Sequence, residues 1–215
     1  MEWPDLVAKP RTKPATGNWH NWKQEIADYC CAKCVYCAIT ESRFGGIRNF
    51  HVEHFRPRAR FPALEDEISN LYLACAICNI LKNDDWPAEP LVDDSAASYP
   101  DPAITNYNHL FSISKNHEVE SIKVAGKYVV ERLLLNRAQL IYERRLDAIH
   151  DAYESFDNWV RSIVDEVTLS ELRELVTLLA RISKAKSKII RVRPYRDHET
   201  KRVIKPKVKS KRSRR

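Results

Sequence analysis

Apolar and polar positions divide the chain into a short first helix, a region of short strands with one helix, a proline-rich connection and a long helical region. The segment NWHNWKQEIADYCC has the pattern of a short amphipathic helix, with Asn18 or Asn21 as its N-cap. Residues 49–55, NFHVEHF, have the aromatic and β-branched content of a strand, which Pro57 ends. We expect this strand and a second one to form a hairpin against a helix that starts near Cys75.

The second half of the chain has a helical pattern. Between Gly126 and Arg193 there is no further Gly or Pro, and apolar residues recur at helical spacing. The pattern predicts three helices, at about 126–135, 137–166 and 169–190.

Capping signals separate these helices. Asn136 with Gln139, and Thr168 with Glu171, have the spacing of capping boxes. The last helix also carries an apolar stripe, which we interpret as a packing face because helices bury apolar residues at this period. The stripe consists of Leu172, Leu175, Leu179 and Ile182.

The length of 215 residues is enough for one good core with a helical extension. Four prolines between residues 87 and 102 mark a loop-rich connection. We therefore divide the chain into an N-terminal arm with a short helix (1–28), a cysteine-bearing region (29–95), a connection with a helical region (96–195) and a basic tail (196–215).

The positive charge of the chain is concentrated in its last residues. The formal net charge is +7, yet residues 201–215 hold nine Lys or Arg and no acid, which leaves 27 basic and 29 acidic side chains in residues 1–200. The tail has too few large apolar residues to fold alone, so we expect it to be disordered when free. It is either a solvated solubility tail or a phosphate-binding arm, since like-charged blocks gain affinity for nucleic acid by releasing counterions.

Hydropathy and cysteine content predict the compartment. No stretch reaches the roughly 18 apolar residues that a membrane span requires, and the start, MEWPDLVAKP, has no signal-peptide pattern. The sequence therefore predicts a cytoplasmic protein that does not associate with a membrane. In that reducing compartment we expect the six cysteines to be thiols, metal ligands or catalytic groups rather than disulfides.

Four cysteines form two C-x2-C pairs, Cys34 with Cys37 and Cys75 with Cys78. Each such turn directs two sulfur atoms inward, and Zn²⁺ accepts four thiolates in a tetrahedron. The spacing therefore predicts a structural Zn²⁺ site, with buried free cysteines as the alternative.

The remaining two cysteines leave a choice of register, because Cys31 and Cys34 also have C-x2-C spacing. We choose Cys34 and Cys37 for the zinc site, since a turn-permissive sequence follows that pair. Cys30 and Cys31 are then expected to be spare thiols.

The stretch between the cysteine pairs carries a histidine beside a glutamate. Glu53 and His54 lie in the predicted strand, and the second cysteine pair leads into Asn79 and Lys82. Alone, Glu53 and His54 would be an ordinary surface pair on an edge strand. The enclosing cysteines and the nearby polar residues favour convergence on one site. Arginines follow the strand at positions 56, 58 and 60.

The order of these residues resembles that of the HNH endonucleases. The shared pattern is C-x2-C, Glu53-His54, Asn70 and then C-x2-C-Asn79-x2-Lys82, which lies within residues 30–86. EHFRPR and NLYLACAICNILK are also similar to the stand-alone HNH proteins of anti-phage systems of the Septu and retron-associated type. The resemblance implies an α+β fold in which a ββα-metal finger with a structural zinc precedes the helical region and the tail.

The resemblance also implies catalytic roles. His54 would be the general base, because an imidazole with a pKa of about 6.5 accepts a proton near neutral pH. Glu53 and Asn79 would bind a catalytic Mg²⁺ or Mn²⁺ through oxygen atoms. Asn70 would tie the loop between the strands and so orient the histidine, or it would be an ordinary turn residue.

Basic residues and protein partners complete the expectations from this resemblance. Lys82 and one of Arg56 or Arg58 would contact DNA phosphates, or each would be a solvated surface residue. The anti-phage similarity adds an ATPase of a defence complex as a candidate partner. The alternative to a DNA-cutting endonuclease is a zinc-stabilised nucleic-acid-binding or adaptor module without turnover.

One geometrical condition applies to the proposed site. Consecutive residues of a regular strand point to opposite faces, so Glu53 and His54 serve one site only if the strand twists or ends there. His51 shares the strand face of Glu53 and is either a further ligand or a plain strand residue; we favour the latter interpretation.

Overall fold

The computed structural model of the chain describes residues 1–91, 94–163 and 168–191. The predicted basic tail and the predicted helix end at residues 164–166 lie outside these ranges. Single-turn 3-10 helices lie at Glu41–Arg43, Ile47–Asn49, Pro62–Leu64 and Ile68–Asn70. The main elements are α1 (Lys23–Tyr29), β1 (Phe50–His54), β2 (Leu71–Cys75), α2 (Ala76–Lys82), α3 (Tyr107–Leu110), β3 (Ser112–Ile113), β4 (Val119–Glu120), α4 (Val124–Arg132), α5 (Ala138–Ile163) and α6 (Leu169–Arg191).

β1, β2 and α2 form a unit that we call the finger. The two strands pair antiparallel, with Phe50 opposite Cys75 at one end and His54 opposite Leu71 at the other. α2 begins directly after β2 and contacts both strands. The predicted hairpin with its helix is thus confirmed, and so is the α+β class of the fold.

A cysteine caps the start of α2. Cys75 has extended backbone angles, φ −65° and ψ 151°, and its Sγ accepts a hydrogen bond from the backbone N of Cys78 at 3.5 Å. The helix ends after Lys82, because Asn83 has a positive φ of 47° that departs from the helical path. The short helix therefore starts at the same residues that form the second cysteine pair.

The predicted asparagine cap of α1 is wrong. The helix follows Trp22, which makes no side-chain capping bond. Asn18 Oδ1 instead accepts from the backbone N of His20 at 3.1 Å, and Asn21 Oδ1 accepts from Asn18 N at 3.2 Å. Short polar side chains form such local bonds in turns, so the two asparagines stabilise the chain just before the helix.

The junction of α4 and α5 also differs from the prediction. Asn136 does not form a capping box with Gln139, because its Oδ1 accepts from Val119 N at 2.7 Å and its Nδ2 donates to Val119 O at 2.9 Å. α4 ends at Arg132, earlier than predicted, and Leu134 has a positive φ of 49°. Asn136 therefore ties the junction to β4.

The two long helices, α5 and α6, contact each other. The capping box of α6 is confirmed, since Glu171 N donates to Thr168 Oγ1 at 3.4 Å and Thr168 N donates to Glu171 Oε2 at 2.9 Å. Its apolar stripe is only partly a packing face, because Leu175 is buried whereas Leu172 keeps 46% of its surface exposed. In the part of the chain described, no helix is long and apolar enough to cross a membrane.

Buried apolar side chains form one continuous core from the N-terminal segment (residues 1–28) to the start of α5. The core includes Trp3 at one end of the chain and Leu140 in α5. Arg11 fixes the N-terminal segment to the finger, since its Nη1 donates to the carbonyls of Ile68 at 2.9 Å and Leu71 at 3.0 Å. The N-terminal segment is therefore held beside the β1–β2 hairpin.

Candidate active site and metal centre

A cleft of about 700 Å³ lies between the finger and the N-terminal segment. Three predicted site residues, Glu53, His54 and Asn79, line it together. Trp19 and His20 form part of the opposite wall. The structure thus brings the acid, the histidine and the asparagine of the sequence pattern to one accessible cavity.

His54 is held at the end of β1 by the loop that follows. Its Nε2 lies 3.0 Å from the carbonyl oxygen of Glu65, and its ring meets the edge of the Trp19 ring at a centroid distance of 5.0 Å. A carbonyl oxygen only accepts, so Nε2 carries the proton and Nδ1 is left as the basic nitrogen. Burial lowers the pKa of His54, against the opposing effect of the Glu65 carbonyl.

Glu53 is buried and ion-paired. Its Oε1 lies 2.6 Å from Lys82 Nζ and accepts a hydrogen bond from Tyr36 OH at 3.2 Å. Burial raises the pKa of the Glu53 carboxyl, and the adjacent ammonium of Lys82 partly offsets that rise. One carboxylate oxygen is therefore committed to the protein, while the side chain also borders the cleft.

The end of β1 meets the geometrical condition for a shared site. His54 is the last residue of the strand, so its side chain need not follow the alternation that sends neighbours to opposite faces. Both Glu53 and His54 line the cleft. His51, which lies on the same strand face as Glu53, contacts Asn79, with His51 Nδ1 3.1 Å from Asn79 Nδ2. That bond uses the amide nitrogen of Asn79 and not its oxygen.

Asn70 lies outside the cleft lining and joins two loops. It is buried, its Oδ1 accepts from Arg56 N at 2.7 Å, and its Nδ2 donates to Arg56 O at 3.1 Å and Leu64 O at 3.2 Å. These bonds connect the residue before β2 to the loop after β1. That same loop carries Glu65, whose carbonyl oxygen receives the His54 bond.

The three predicted phosphate contacts have different environments. Lys82 is fully buried, with 0% of its side chain exposed, so the expectation that it contacts DNA is corrected: its ammonium faces Glu53 and the carbonyl of His54. Arg56 is 37% exposed and pairs with Glu89 on the surface. Arg58 is 51% exposed and lines the cleft, which leaves it the best placed of the three for a phosphate.

Four cysteines converge at the other end of the hairpin. The sulfur atoms of Cys34, Cys37, Cys75 and Cys78 all lie within 4.8 Å of one another, and all four residues are buried. The Sγ atoms of Cys37 and Cys75 are 3.8 Å apart. A tetrahedral zinc with Zn–S bonds of about 2.3 Å requires sulfur separations of about 3.8 Å, so these cysteines fit the metal.

Cys30 and Cys31 stand outside this cluster. Cys30 is buried, and burial raises its pKa to about 12 while its Sγ accepts a bond from Leu73 N at 3.3 Å. Cys31 is exposed, with its Sγ 2.8 Å from Lys9 Nζ. The structure therefore groups the cysteines in the register that begins at Cys34.

Sequence reasoning missed the contribution of the N-terminal segment to the cleft. Trp19 contacts His54 with its ring, and its Nε1 donates to Glu65 Oε1 at 3.1 Å. Arg58 lies over the same indole, 5.1 Å from the ring centroid. The adjacent aromatics Trp19 and His20 were a visible signal, but the contact with β1 is made across more than thirty positions and has no local pattern.

One comparison with known proteins gives a match for the segment that contains this site. No curated protein and no solved structure matches the chain significantly. A family model does match, over residues 34–85, and its description is HNH endonuclease. The matched segment contains the finger and all four clustered cysteines, so this part of the chain is similar to HNH endonuclease domains.

Proposed function

We propose that the protein is a metal-dependent endonuclease that hydrolyses phosphodiester bonds in DNA. The observation that carries this proposal is the shared cleft of Glu53, His54 and Asn79 within a segment that matches the HNH endonucleases. A module that only binds nucleic acid needs neither a basic imidazole nitrogen nor an acid beside it. The cleft is open to solvent, as a site for a polymer substrate must be.

His54 acts as the general base in this proposal. The carbonyl of Glu65 keeps the proton on Nε2, so Nδ1 is the nitrogen that accepts a proton from the attacking water. The lowered pKa of His54 keeps the imidazole neutral at neutral pH, which is the form that a base needs. Trp19 and the Asn70 bonds hold the loop that orients the ring.

Glu53 and Asn79 are the proposed ligands of a catalytic Mg²⁺ or Mn²⁺. Carboxylate and amide oxygens suit such hard cations, and both residues line the cleft next to His54. When bound, the cation supplies positive charge that offsets charge on the phosphate and on the leaving oxygen. Lys82 holds the Glu53 carboxylate through Oε1, and His51 holds the Asn79 amide through its nitrogen.

We assign the four clustered cysteines to a structural zinc. Their buried sulfur atoms lie within 4.8 Å of one another, with one pair at 3.8 Å, and the site lies at the end of the hairpin opposite His54. Because Cys75 ends β2 and Cys78 lies in α2, zinc would fix the start of the helix that carries Asn79. The metal would thus position the catalytic residues without touching the substrate.

Phosphate binding is assigned to Arg58 in the cleft and Arg56 on the adjacent surface. In the structure, each arginine pairs with a glutamate, Arg58 with Glu65 and Arg56 with Glu89. Exposed pairs of this kind contribute little stability, so a phosphate can replace the glutamate at little cost.

Plasmid cleavage tests the function directly. We expect the full-length protein to nick or cut plasmid DNA with Mg²⁺ or Mn²⁺ and not with EDTA. His54→Ala should lower the rate about 100-fold or more, because a general base commonly contributes 10²- to 10⁴-fold. His150→Ala, on the exposed surface of α5, is the matched control and should cleave at the wild-type rate.

The outcomes of this assay separate the two classes of function. Undiminished cleavage by His54→Ala, in protein free of contaminating nuclease, would contradict the assigned base. Binding of DNA without metal-dependent cleavage by the wild type would favour the adaptor module instead.

The biological setting is a further part of the proposal. EHFRPR and NLYLACAICNILK support a place in an anti-phage system in the cytoplasm, where an ATPase of the defence complex is the candidate partner. In this view residues 29–95 are the nuclease unit and residues 96–195 present the partner surface. Cells that express the wild type should resist phage, and cells that express His54→Ala should not; equal plaque counts would contradict the defence role.

A further inference from the structure

Arg137 lies against the clustered cysteines although it belongs to a distant part of the chain. Its Nη1 is 3.7 Å from Cys78 Sγ, and its Nη2 is 3.6 Å from Cys37 Sγ and 3.8 Å from Cys75 Sγ. Arg137 directly precedes α5 and follows Cys75 by 62 positions. One guanidinium therefore reaches three of the four sulfur atoms from outside the finger.

Few other acceptors surround this guanidinium. Nη1 also lies 3.2 Å from the carbonyl oxygen of Leu133, at the end of α4, and 3.5 Å from that of Leu134. The buried Nε has no hydrogen-bond partner among the described residues. A buried donor without a partner is destabilising, so the sulfur contacts must compensate much of the desolvation of Arg137.

Arg144 provides a comparison within the same structure. It lies two turns further along α5 and is buried, with 2% of its surface exposed. Its Nη2 donates to oxygen atoms, to Leu135 O at 3.0 Å and to Asn136 Oδ1 at 3.2 Å. Among the described residues, Arg144 Nη2 thus contacts only oxygen acceptors, whereas Arg137 Nη2 contacts only sulfur atoms.

The net charge of a zinc site explains why the guanidinium of Arg137 contacts sulfur atoms. Four thiolates around one Zn²⁺ leave two negative charges uncompensated, and here all four cysteines are buried. Net charge away from water is unfavourable unless an opposite charge is close. Hydrogen bonds from a guanidinium to charged acceptors are about twice as strong as neutral ones. Neutral thiols would instead leave Arg137 buried against weak acceptors.

We propose that Arg137 is an outer-sphere partner of the zinc site, donating N–H···S bonds to its thiolates. These bonds hold the metal and at the same time dock the α4–α5 junction onto the finger. The inference rests on the zinc site of the proposed function and adds to it a residue outside the HNH segment. Arg137 is a positioning residue, since it touches neither substrate nor metal.

Zinc release from the full-length protein tests the inference. Arg137→Met removes the charge and keeps similar length, and we expect zinc to pass to a chelator about 10-fold faster or more, as for other partners of metal ligands. Arg137→Lys keeps the charge but loses the planar fork, so its rate should lie between those of wild type and Arg137→Met. Arg145→Met, an exposed position on α5, is the matched control and should match wild type.

Cobalt substitution gives a second measurement that packing alone would not change. Loss of N–H···S bonds raises the energy of the sulfur lone pairs, so the sulfur-to-cobalt charge-transfer absorption should move to longer wavelength. We expect this movement in Arg137→Met and not in Arg145→Met.

Zinc release within about twofold of wild type, with an unmoved cobalt band, would overturn the role of Arg137. If Arg137→Met does not fold, Arg137→Lys decides by the same two measurements. Wild-type protein that holds no zinc would overturn the zinc site and this inference together, whereas zinc-loaded wild type with unaffected variants would overturn only the inference.

Discussion

Lys82 and Glu53 form an ion pair inside the finger, directly behind the cleft. Their side chains are 0% and 5% exposed, and their charged atoms are 2.6 Å apart. Such a pair must offset the loss of hydration of both ions, so it is sensitive to removal of either partner. Lys82 Nζ also donates to the carbonyl of His54 at 3.1 Å. One lysine thus fixes both the acid and the backbone of the proposed base.

Lys82→Met should lower the free energy of unfolding by about 3–5 kcal/mol, because Glu53 is left buried without its counter-charge. Adding Glu53→Gln should restore most of this loss, since the neutral amide oxygen still accepts the Tyr36 bond. Urea denaturation of the single and double variants measures both effects. If Lys82 contacted DNA instead, Lys82→Met would keep its stability and would flatten the salt dependence of binding by about 0.9 in the log–log slope.

Zinc content checks the four-cysteine cluster. Cys34→Ser or Cys78→Ser should lose the metal and unfold the finger, because binding energy at such a site is largely folding energy. Cys31→Ser is the control, since that thiol is exposed and outside the cluster, and it should keep one zinc per chain. Metal analysis with thermal unfolding measures the result; loss of zinc from Cys31→Ser with retention by Cys37→Ser would mean that the register is wrong.

The site residues differ in how far sequence could predict them. The cysteine cluster follows from spacing, because each C-x2-C pair is a local turn. The burial of Lys82 could not be predicted, because its partner Glu53 lies 29 positions earlier and meets it only when α2 packs on β1. Arg137 was missed for the same reason, as an isolated arginine between two helices has no pattern that points to sulfur.

At the scale of elements, a capping signal in the sequence predicted the start of a helix correctly where the capping residue bonds only to the helix beside it. The Thr168–Glu171 box forms as predicted because its bonds span three residues. Asn136 has the same sequence signal, but its side chain instead forms two hydrogen bonds with the backbone N–H and carbonyl of Val119 in β4. Tertiary bonds to a strand therefore replaced a local cap, and spacing alone could not reveal that competitor.

Asp85 connects the end of the finger to α4. Its Oδ2 accepts bonds from Tyr99 OH at 2.8 Å, from Arg132 Nε at 2.9 Å and from Tyr128 OH. Burial alone would raise the pKa of Asp85, yet these bonds outweigh it and the pKa lies below its ordinary value. The carboxylate therefore stabilises the contact between two elements in its ionised form.

Asp85→Asn should lower stability at neutral pH by about 1–3 kcal/mol, because an amide is a weaker acceptor for these donors. In the wild type this contribution is complete above the unfolded-state pKa of about 3.9 and is lost as pH falls through the lower folded-state pKa. The variant should thus lose less stability than wild type on acidification, as measured by urea denaturation at several pH values. Asp157→Asn removes a surface i,i+4 pair with Arg161; it is the control and should change stability little. If Asp85→Asn and the wild type lost stability equally on acidification, the stabilising role of the ionised Asp85 carboxylate would be contradicted.

At the scale of the whole molecule, the cleft is built from parts that are distant in sequence but share one core. The core runs from Trp3 to Leu140, and Arg11 fastens the N-terminal segment to the loop before β2. Trp19 can therefore support His54 from outside residues 34–85, the segment that the family model matches. The patterns predicted the strands and helices, and the resemblance implied the α+β finger, whereas this second wall depends on long-range packing.

The charge distribution of the whole chain leads to a prediction about the tail, which lies outside the described residues. Residues 1–200 are nearly neutral, and nine positive charges stand in residues 201–215. If these charges contact phosphate, deleting residues 201–215 should weaken binding to all DNA sequences about equally. Each lost phosphate contact should also flatten the salt dependence by about 0.9 in the log–log slope.

Binding titrations at several salt concentrations, with full-length and truncated protein, measure this slope. Cleavage at saturating DNA should survive truncation, because Glu53, His54 and Asn79 belong to the finger and its zinc site is far away in the chain. A variant with the nine basic residues changed to Gln keeps the length of the tail and isolates charge from chain length. It should bind like the truncated protein. An unchanged slope in both proteins would mean that the tail does not contact phosphate, and DNA binding would then depend on the cleft and its arginines alone.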